Sequence, residues 1–154
     1  MSINQIDEIK NCISRYLGIR EHSKTELFDK LYKKNFNQIK IEECILDFEV
    51  KGLQSDKRYA QTYVESKYKI QKGPRLIESN LIKNGINKNI INDVLLSYTK
   101  QDWENSAIIA LEKKTFSKKA FTDKIKIEKQ KTFLTSRGFD YHIIEKVINR
   151  FWKL

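Results

Sequence analysis

Leu81-Ile82-Lys83-Asn84-Gly85-Ile86-Asn87-Lys88-Asn89-Ile90-Ile91-Asn92-Asp93-Val94-Leu95 reads as the end of one helix, a tight turn and one face of the next helix. Gly85 tolerates the left-handed backbone that ends a helix, and Ile86 beside it can pack back on the last turn. Asn87 is placed to cap the following helix by accepting a backbone N–H. Ile91, Val94 and Leu95 then fall at i, i+3 and i+4, which is one side of a helix.

The same pattern stands at Leu31–Ile45 and at Leu134–Ile148. Five residues after the leading Leu come Phe36, Ile86 and Phe139, preceded by Asn35, Gly85 and Gly138 and followed by Asn37, Asn87 and Asp140. Ile41, Cys44 and Ile45 match Ile91, Val94 and Leu95, and so do Ile144, Val147 and Ile148. The spacing is 50 residues from Phe36 to Ile86 and 53 from Ile86 to Phe139, so the chain repeats itself three times.

A further helix precedes each pair. Ile6, Ile9, Ile13 and Tyr16 step along one face; Tyr59, Ala60, Tyr63 and Val64 do so after Ser55-Asp56, and Trp103, Ala107, Ala110 and Leu111 after Asp102. Ser23-Lys24-Thr25-Glu26 is a capping-box pattern, and Gly73-Pro74 puts proline at a first helical position. The expected fold is all-α: three tandem three-helix repeats at 5–54, 55–101 and 102–154, about nine helices stacked into an elongated, curved array.

Of the 154 residues 40% are hydrophobic, with 8 Phe, 7 Tyr and 2 Trp, too many for a disordered chain. Five Gly and one Pro are few for a turn-rich β fold. No apolar run is long enough for a membrane span, and Met1–Lys10 lacks the apolar core of a secretory signal, so a cytoplasmic protein is expected. Cys12 and Cys44 stand at apolar helical positions without a C-x-x-C pattern and read as buried, reduced thiols.

The net charge of +10 favours a polyanionic partner, nucleic acid or an acidic protein surface. It is unevenly spread: residues 1–56 sum to −1, residues 57–102 to +5 and residues 103–154 to +6. Candidate partner-binding or DNA-binding residues are Lys67, Lys69, Lys72 and Arg75 around Gly73-Pro74, where few acids compensate. A second set is Lys113, Lys114, Lys118, Lys119, Lys124, Lys126, Lys129 and Lys131, in the longest connection between a first and a second helix. For both sets a solvated surface is the alternative.

Other residues read as structural. Arg20-Glu21-His22-Ser23 is a helix end followed by a cap, although a contact or pH-sensitive role is conceivable there. Tyr59, Tyr63 and Tyr68 could form a base-stacking ladder but fit core packing against one neighbour better, as do Trp103 and Trp152. Arg58 suits a paired, half-buried guanidinium that fixes two repeats together. His22 and His142 have no Cys or carboxylate at ligand spacing, so no metal is expected. No P-loop, G-x-G-x-x-G or nucleophile motif occurs, and Glu42-Glu43 with Asp47 and Glu49 look like a solvent face. Neither catalytic residues nor a cofactor are expected.

Tyr16-Leu17, Arg20–Ser23, Glu26-Leu27, Lys51-Gly52-Leu53, Ser55-Asp56, Arg58-Tyr59-Ala60 and Tyr63-Val64 resemble, in order and spacing, the RecX family of recombinase regulators. Lys72-Gly73-Pro74, Leu81–Ile86, Phe133-Leu134, Arg137-Gly138-Phe139 and Tyr141 extend the resemblance over nearly the whole chain, with the third repeat matching least well. The resemblance implies a non-enzymatic protein that binds the RecA recombinase filament on single-stranded DNA and modulates its assembly, ATP hydrolysis and strand exchange. A module acting directly on single-stranded or duplex DNA is the alternative. A monomer is expected.

Overall fold

The computed structural model describes residues 4–114 and 122–153. Among these residues there are nine helices and no strand, as the periodicity predicts: α1 (Gln5–Ile19), α2 (Lys24–Tyr32), α3 (Gln38–Val50), α4 (Asp56–Lys69), α5 (Pro74–Lys83), α6 (Lys88–Leu95), α7 (Lys100–Lys113), α8 (Asp123–Ser136) and α9 (Tyr141–Trp152). They form two compact units, Met1–Tyr63 with Leu81–Ile91 and Val64–Asn80 with Asn92–Leu154.

In the first unit α1, α2 and α3 enclose a core of Ile9, Ile13, Leu27, Leu31, Ile41, Cys44, Ile45 and Phe48, with Phe36 packed against it. In the second unit Trp103, Ala107, Ala110 and Leu111 of α7, Leu134 of α8 and Ile143, Ile144, Val147 and Ile148 of α9 are buried with Phe139. The predicted apolar offsets are therefore core positions, because i, i+3 and i+4 share a helix face, except that Leu95 is only half-buried. Cys44 is buried as expected, but Cys12 is only half-buried, since it sits on the flank of α1 and not on its inward stripe.

The α2–α3, α5–α6 and α8–α9 turns contain the left-handed residues anticipated, Asn35 (φ 66°), Gly85 (φ 81°) and Gly138 (φ 94°). Asn37 Oδ1 accepts from Lys40 N at 3.0 Å and Asn87 Oδ1 from Asn89 N at 2.8 Å. Asp140 makes no such cap; its carboxylate lies 3.9 Å from Arg75 instead. Ser23 Oγ accepts from Glu26 N at 3.1 Å, but only half of the expected capping box forms, because the Glu26 carboxylate turns to Arg20 at 2.7 Å. A complete box forms instead at Thr99 and Asp102, which puts the start of α7 before Asp102.

The turns also serve as docking points. In the first unit Ser23 Oγ donates to Asn84 O at 3.1 Å, and Lys24 N donates to Asp56 Oδ1 at 2.9 Å. Asn84 Nδ2 donates to Tyr59 Oη at 2.8 Å, and Tyr59 also hydrogen-bonds Glu26. In the second unit Gly73 N donates to Arg137 O at 2.6 Å and Arg75 N to Gly138 O at 2.9 Å. A Cβ at Gly73 would run into the backbone of Gly138 and Phe139, and one at Gly85 into the Thr25 side chain. The start of α2 thus meets the α5–α6 turn as the start of α5 meets the α8–α9 turn. At both places backbone groups left over at helix ends find partners.

Candidate partner-binding surface

All the basic candidates that are described lie in the second unit, and the fold brings the two sets together. Lys113, at the end of α7, donates from Nζ to Gln71 Oε1 at 3.2 Å, next to Lys72 in the α4–α5 turn. That turn is held by Arg137, whose Nε donates to Gln71 O at 2.9 Å and whose guanidinium also donates to Ile70 O. Lys114 Nζ stands 5.3 Å from the centre of the Phe133 ring, and the Arg137 guanidinium 5.6 Å from it. Cations held over an aromatic ring keep donors free for an incoming acceptor.

Several candidates are not free. Lys69 pairs with Glu65 at 3.4 Å, Arg75 faces Asp140 at 3.9 Å, and Lys131 pairs with Glu145 at 3.1 Å. The hydrogen bond from Lys131 to Glu145 raises its ammonium pKa. Helix geometry supplies only the first of these acids, since Glu65 lies one turn from Lys69, whereas Asp140 and Glu145 are brought in by the fold. Lys124, Lys126 and Lys129 are exposed on α8, so this part of the long connection belongs to a helix with basic first turns. Lys118 and Lys119 lie outside the described residues.

Arg137, the residue that fixes this surface, is absent from the basic candidates. Its sequence signal is its place just before Gly138, the place that Asn84 holds before Gly85. Asn84 and Arg137 do a similar job, Asn84 binding its turn to α4 and Arg137 binding its turn to the α4–α5 turn through the side chain.

The residues read as structural meet that expectation in part. His22 is 2% exposed, with Nδ1 3.0 Å from Arg20 O and Nε2 3.1 Å from Lys30 Nζ. Burial pushes its imidazole below the ordinary value of 6.5. Burial alone would raise the Glu26 carboxyl, but hydrogen bonds from Arg20 and Tyr59 hold it below its ordinary value. Arg58 pairs with Glu21 at 3.0 Å, as expected, though it is exposed rather than half-buried. The tyrosines do not share one neighbour. Tyr59 and Tyr63 face each other at 6.0 Å, while Tyr68 packs on Tyr98 at 5.0 Å and Trp103 at 5.5 Å. Trp103 is core; Trp152 is half-buried and donates to Gln130 Oε1 at 2.6 Å.

An open cleft of about 690 Å³ in the first unit is lined by Lys24, Glu49, Asp56, Lys57 and Arg58 among others. Its charges are largely committed, Lys24 to Glu49 at 2.7 Å and Arg58 to Glu21. Among the described residues no group of three or more His, Cys, Asp or Glu is placed to hold a metal ion. No described helix is long and apolar enough to cross a membrane.

Residues 55–95 match the family model described as RecX, second three-helix domain, and residues 102–148 the one described as RecX, third three-helix domain. The regulatory protein RecX of Legionella pneumophila (strain Corby) is 36% identical over 133 residues, covering 86% of this chain and 87% of that protein. That of Clostridium perfringens (strain 13 / Type A) is 31% identical over 143 residues, covering 92% of this chain and 67% of that protein. The crystal structure of RecX from Lactobacillus salivarius, 30% identical, superposes with a TM-score of 0.88 over 98% of this chain and 99% of that one. The chain therefore belongs to the RecX family of regulatory proteins.

Proposed function

We propose that this protein is a cytoplasmic, monomeric, non-enzymatic regulator that binds a RecA-type recombinase filament on single-stranded DNA. It modulates, and mostly inhibits, filament assembly, ATP hydrolysis and strand exchange. Its working parts are three tandem three-helix repeats, 5–54, 55–101 and 102–154. The observation that carries this reading is the convergence of Lys113 on the α4–α5 turn beside Lys72, within a RecX-family fold. Two basic segments far apart in sequence there form one surface, suited to an acidic protein face or to a DNA backbone beside it.

A second reading, a module that binds DNA directly, is favoured by one feature. Lys124 and Lys126 are exposed on the first turns of α8 with no carboxylate partner among the described residues. Co-sedimentation with recombinase filaments on single-stranded DNA, at rising salt, separates the two. A regulator stays with the filament at salt that strips it from naked DNA. Retention that needs no recombinase, with a log–log salt slope of about −0.7 per phosphate neutralised, would favour the DNA module.

A further inference from the structure

Residues 1–56 sum to a charge of −1, yet the first unit holds a cation cluster that no described carboxylate answers. Arg15 of α1, Lys30 of α2 and Lys34 of the α2–α3 turn place their charges 5.8, 4.8 and 5.7 Å from the centre of the Tyr16 ring. Arg15 Nη2 and Lys34 Nζ both donate to Cys12 Sγ, at 3.7 and 3.9 Å, and Lys30 Nζ donates to His22 Nε2 at 3.1 Å. A ring face, a thiol sulfur and a neutral imidazole supply no formal negative charge to answer three full positive ones.

Other cations of the same unit are treated differently. Lys10, Arg20, Lys24, Lys51 and Arg58 each have a carboxylate within 3.4 Å. Glu26 and Glu21, the acids closest along the chain to the α1–α2 connection, are taken by Arg20 and Arg58. Lys34 holds the place in the repeat that Asn84 and Arg137 hold, just before the left-handed residue. Those two are bonded to protein oxygens; Lys34 has only the sulfur and the ring.

Two nitrogens that touch one sulfur atom can be no further apart than the sum of those two contacts. One phosphate group spans that gap with an oxygen on each. The donors arrive from two helices and a turn, which suits a tetrahedral acceptor better than a planar carboxylate. We propose that Arg15, Lys30 and Lys34, gathered around Tyr16, form a phosphate-binding site for a nucleic-acid strand. The site belongs to the first unit, whereas the basic candidates belong to the second, and it does not depend on a recombinase being the partner.

Cys12 gives a local readout, because it is half-buried beneath Arg15 and Lys34 while Cys44 is buried. Saturating oligothymidylate slows iodoacetamide alkylation of Cys12 in the wild-type protein. Arg15→Gln/Lys34→Gln lowers oligothymidylate affinity about eightfold at about 50 mM salt and flattens the salt slope by about 0.7, the loss of one phosphate contact. Lys24→Gln, a change at a paired cation of the same unit, leaves the slope as it is. Cys12 alkylation that is indifferent to saturating oligothymidylate would overturn the proposal, as would an unchanged slope in a double variant that melts like wild type. Equal protection of Cys12 by poly-glutamate would reassign the cluster to acidic polypeptides and overturn it too. If the double variant does not fold, the Cys12 footprint on the wild-type chain decides.

Discussion

Replacing Gly138 by alanine tests a close backbone approach in the second unit. Gly138 has φ +94°, and a Cβ there would lie 2.6 Å from Leu76 N and 3.0 Å from Leu76 Cα. The left-handed conformation costs an alanine about 1–2 kcal/mol. Forcing a methyl group against backbone that is itself fixed, here by Arg75 N donating to Gly138 O at 2.9 Å, adds about 1–3 kcal/mol. Gly138→Ala is thus expected to destabilise by about 2–5 kcal/mol. Two other glycines calibrate it. Gly52 has φ +75° with nothing within 4 Å of a Cβ, so Gly52→Ala carries the conformational penalty alone, about 1–2 kcal/mol. Gly18 lies inside α1 with nothing within 4 Å of a Cβ and no positive φ, so Gly18→Ala stabilises by about 0.5–1 kcal/mol. Urea unfolding followed by circular dichroism ranks all three. Tryptophan fluorescence isolates the second unit, because Trp103 and Trp152 both lie in it. A Gly138→Ala chain no less stable than Gly52→Ala would refute the docking of the α8–α9 turn on the start of α5.

Further changes test other parts of the account. Leu81 and Phe139 are 0% and 1% exposed, so Leu81→Ala and Phe139→Ala each lower stability by about 2–5 kcal/mol in urea titrations; wild-type midpoints for both would refute the repeat register. His22 is buried and its folded pKa is lowered, so it stabilises fully above its ordinary value of 6.5 and loses that contribution as pH falls from there through the folded value. Urea midpoints measured between pH 8 and pH 5 should fall for wild type and much less for His22→Asn, whose amide can still donate to Arg20 O; parallel curves would refute this. Lys67→Glu/Lys69→Glu/Lys72→Glu should weaken filament inhibition with an unchanged melt, and undiminished inhibition would remove the α4–α5 turn from the partner surface.

Much of the fold was legible because its signals are local. A left-handed residue at 35, 85 and 138, with an apolar residue after it and one helix face beyond, is written in consecutive residues. Asp140 escapes the rule because a carboxylate can accept from a distant cation as readily as from its own helix, and it faces Arg75. Glu26 escapes for the same reason, since Arg20 and Tyr59 compete for it with the Ser23 backbone. Residues that join separate elements leave the weakest local signal. Arg137 works through two backbone carbonyls 66 and 67 positions away, and its place before Gly138 is the one local mark of that role. Local charge balance marks the basic candidates but cannot see Asp140 near Arg75 or Glu145 beside Lys131. The Tyr16 cluster was hidden in the opposite way, because regional charge summed over residues 1–56 masks three cations that meet only in the fold.

The most direct test of the proposed function is the recombinase's ATPase rate on single-stranded DNA as this protein is titrated in at fixed salt. Inhibition at substoichiometric ratios is the expected result, since a filament regulator acts on many subunits through few contacts. An unchanged rate, with binding to naked DNA retained, would contradict recombinase regulation and leave a DNA-binding helical protein.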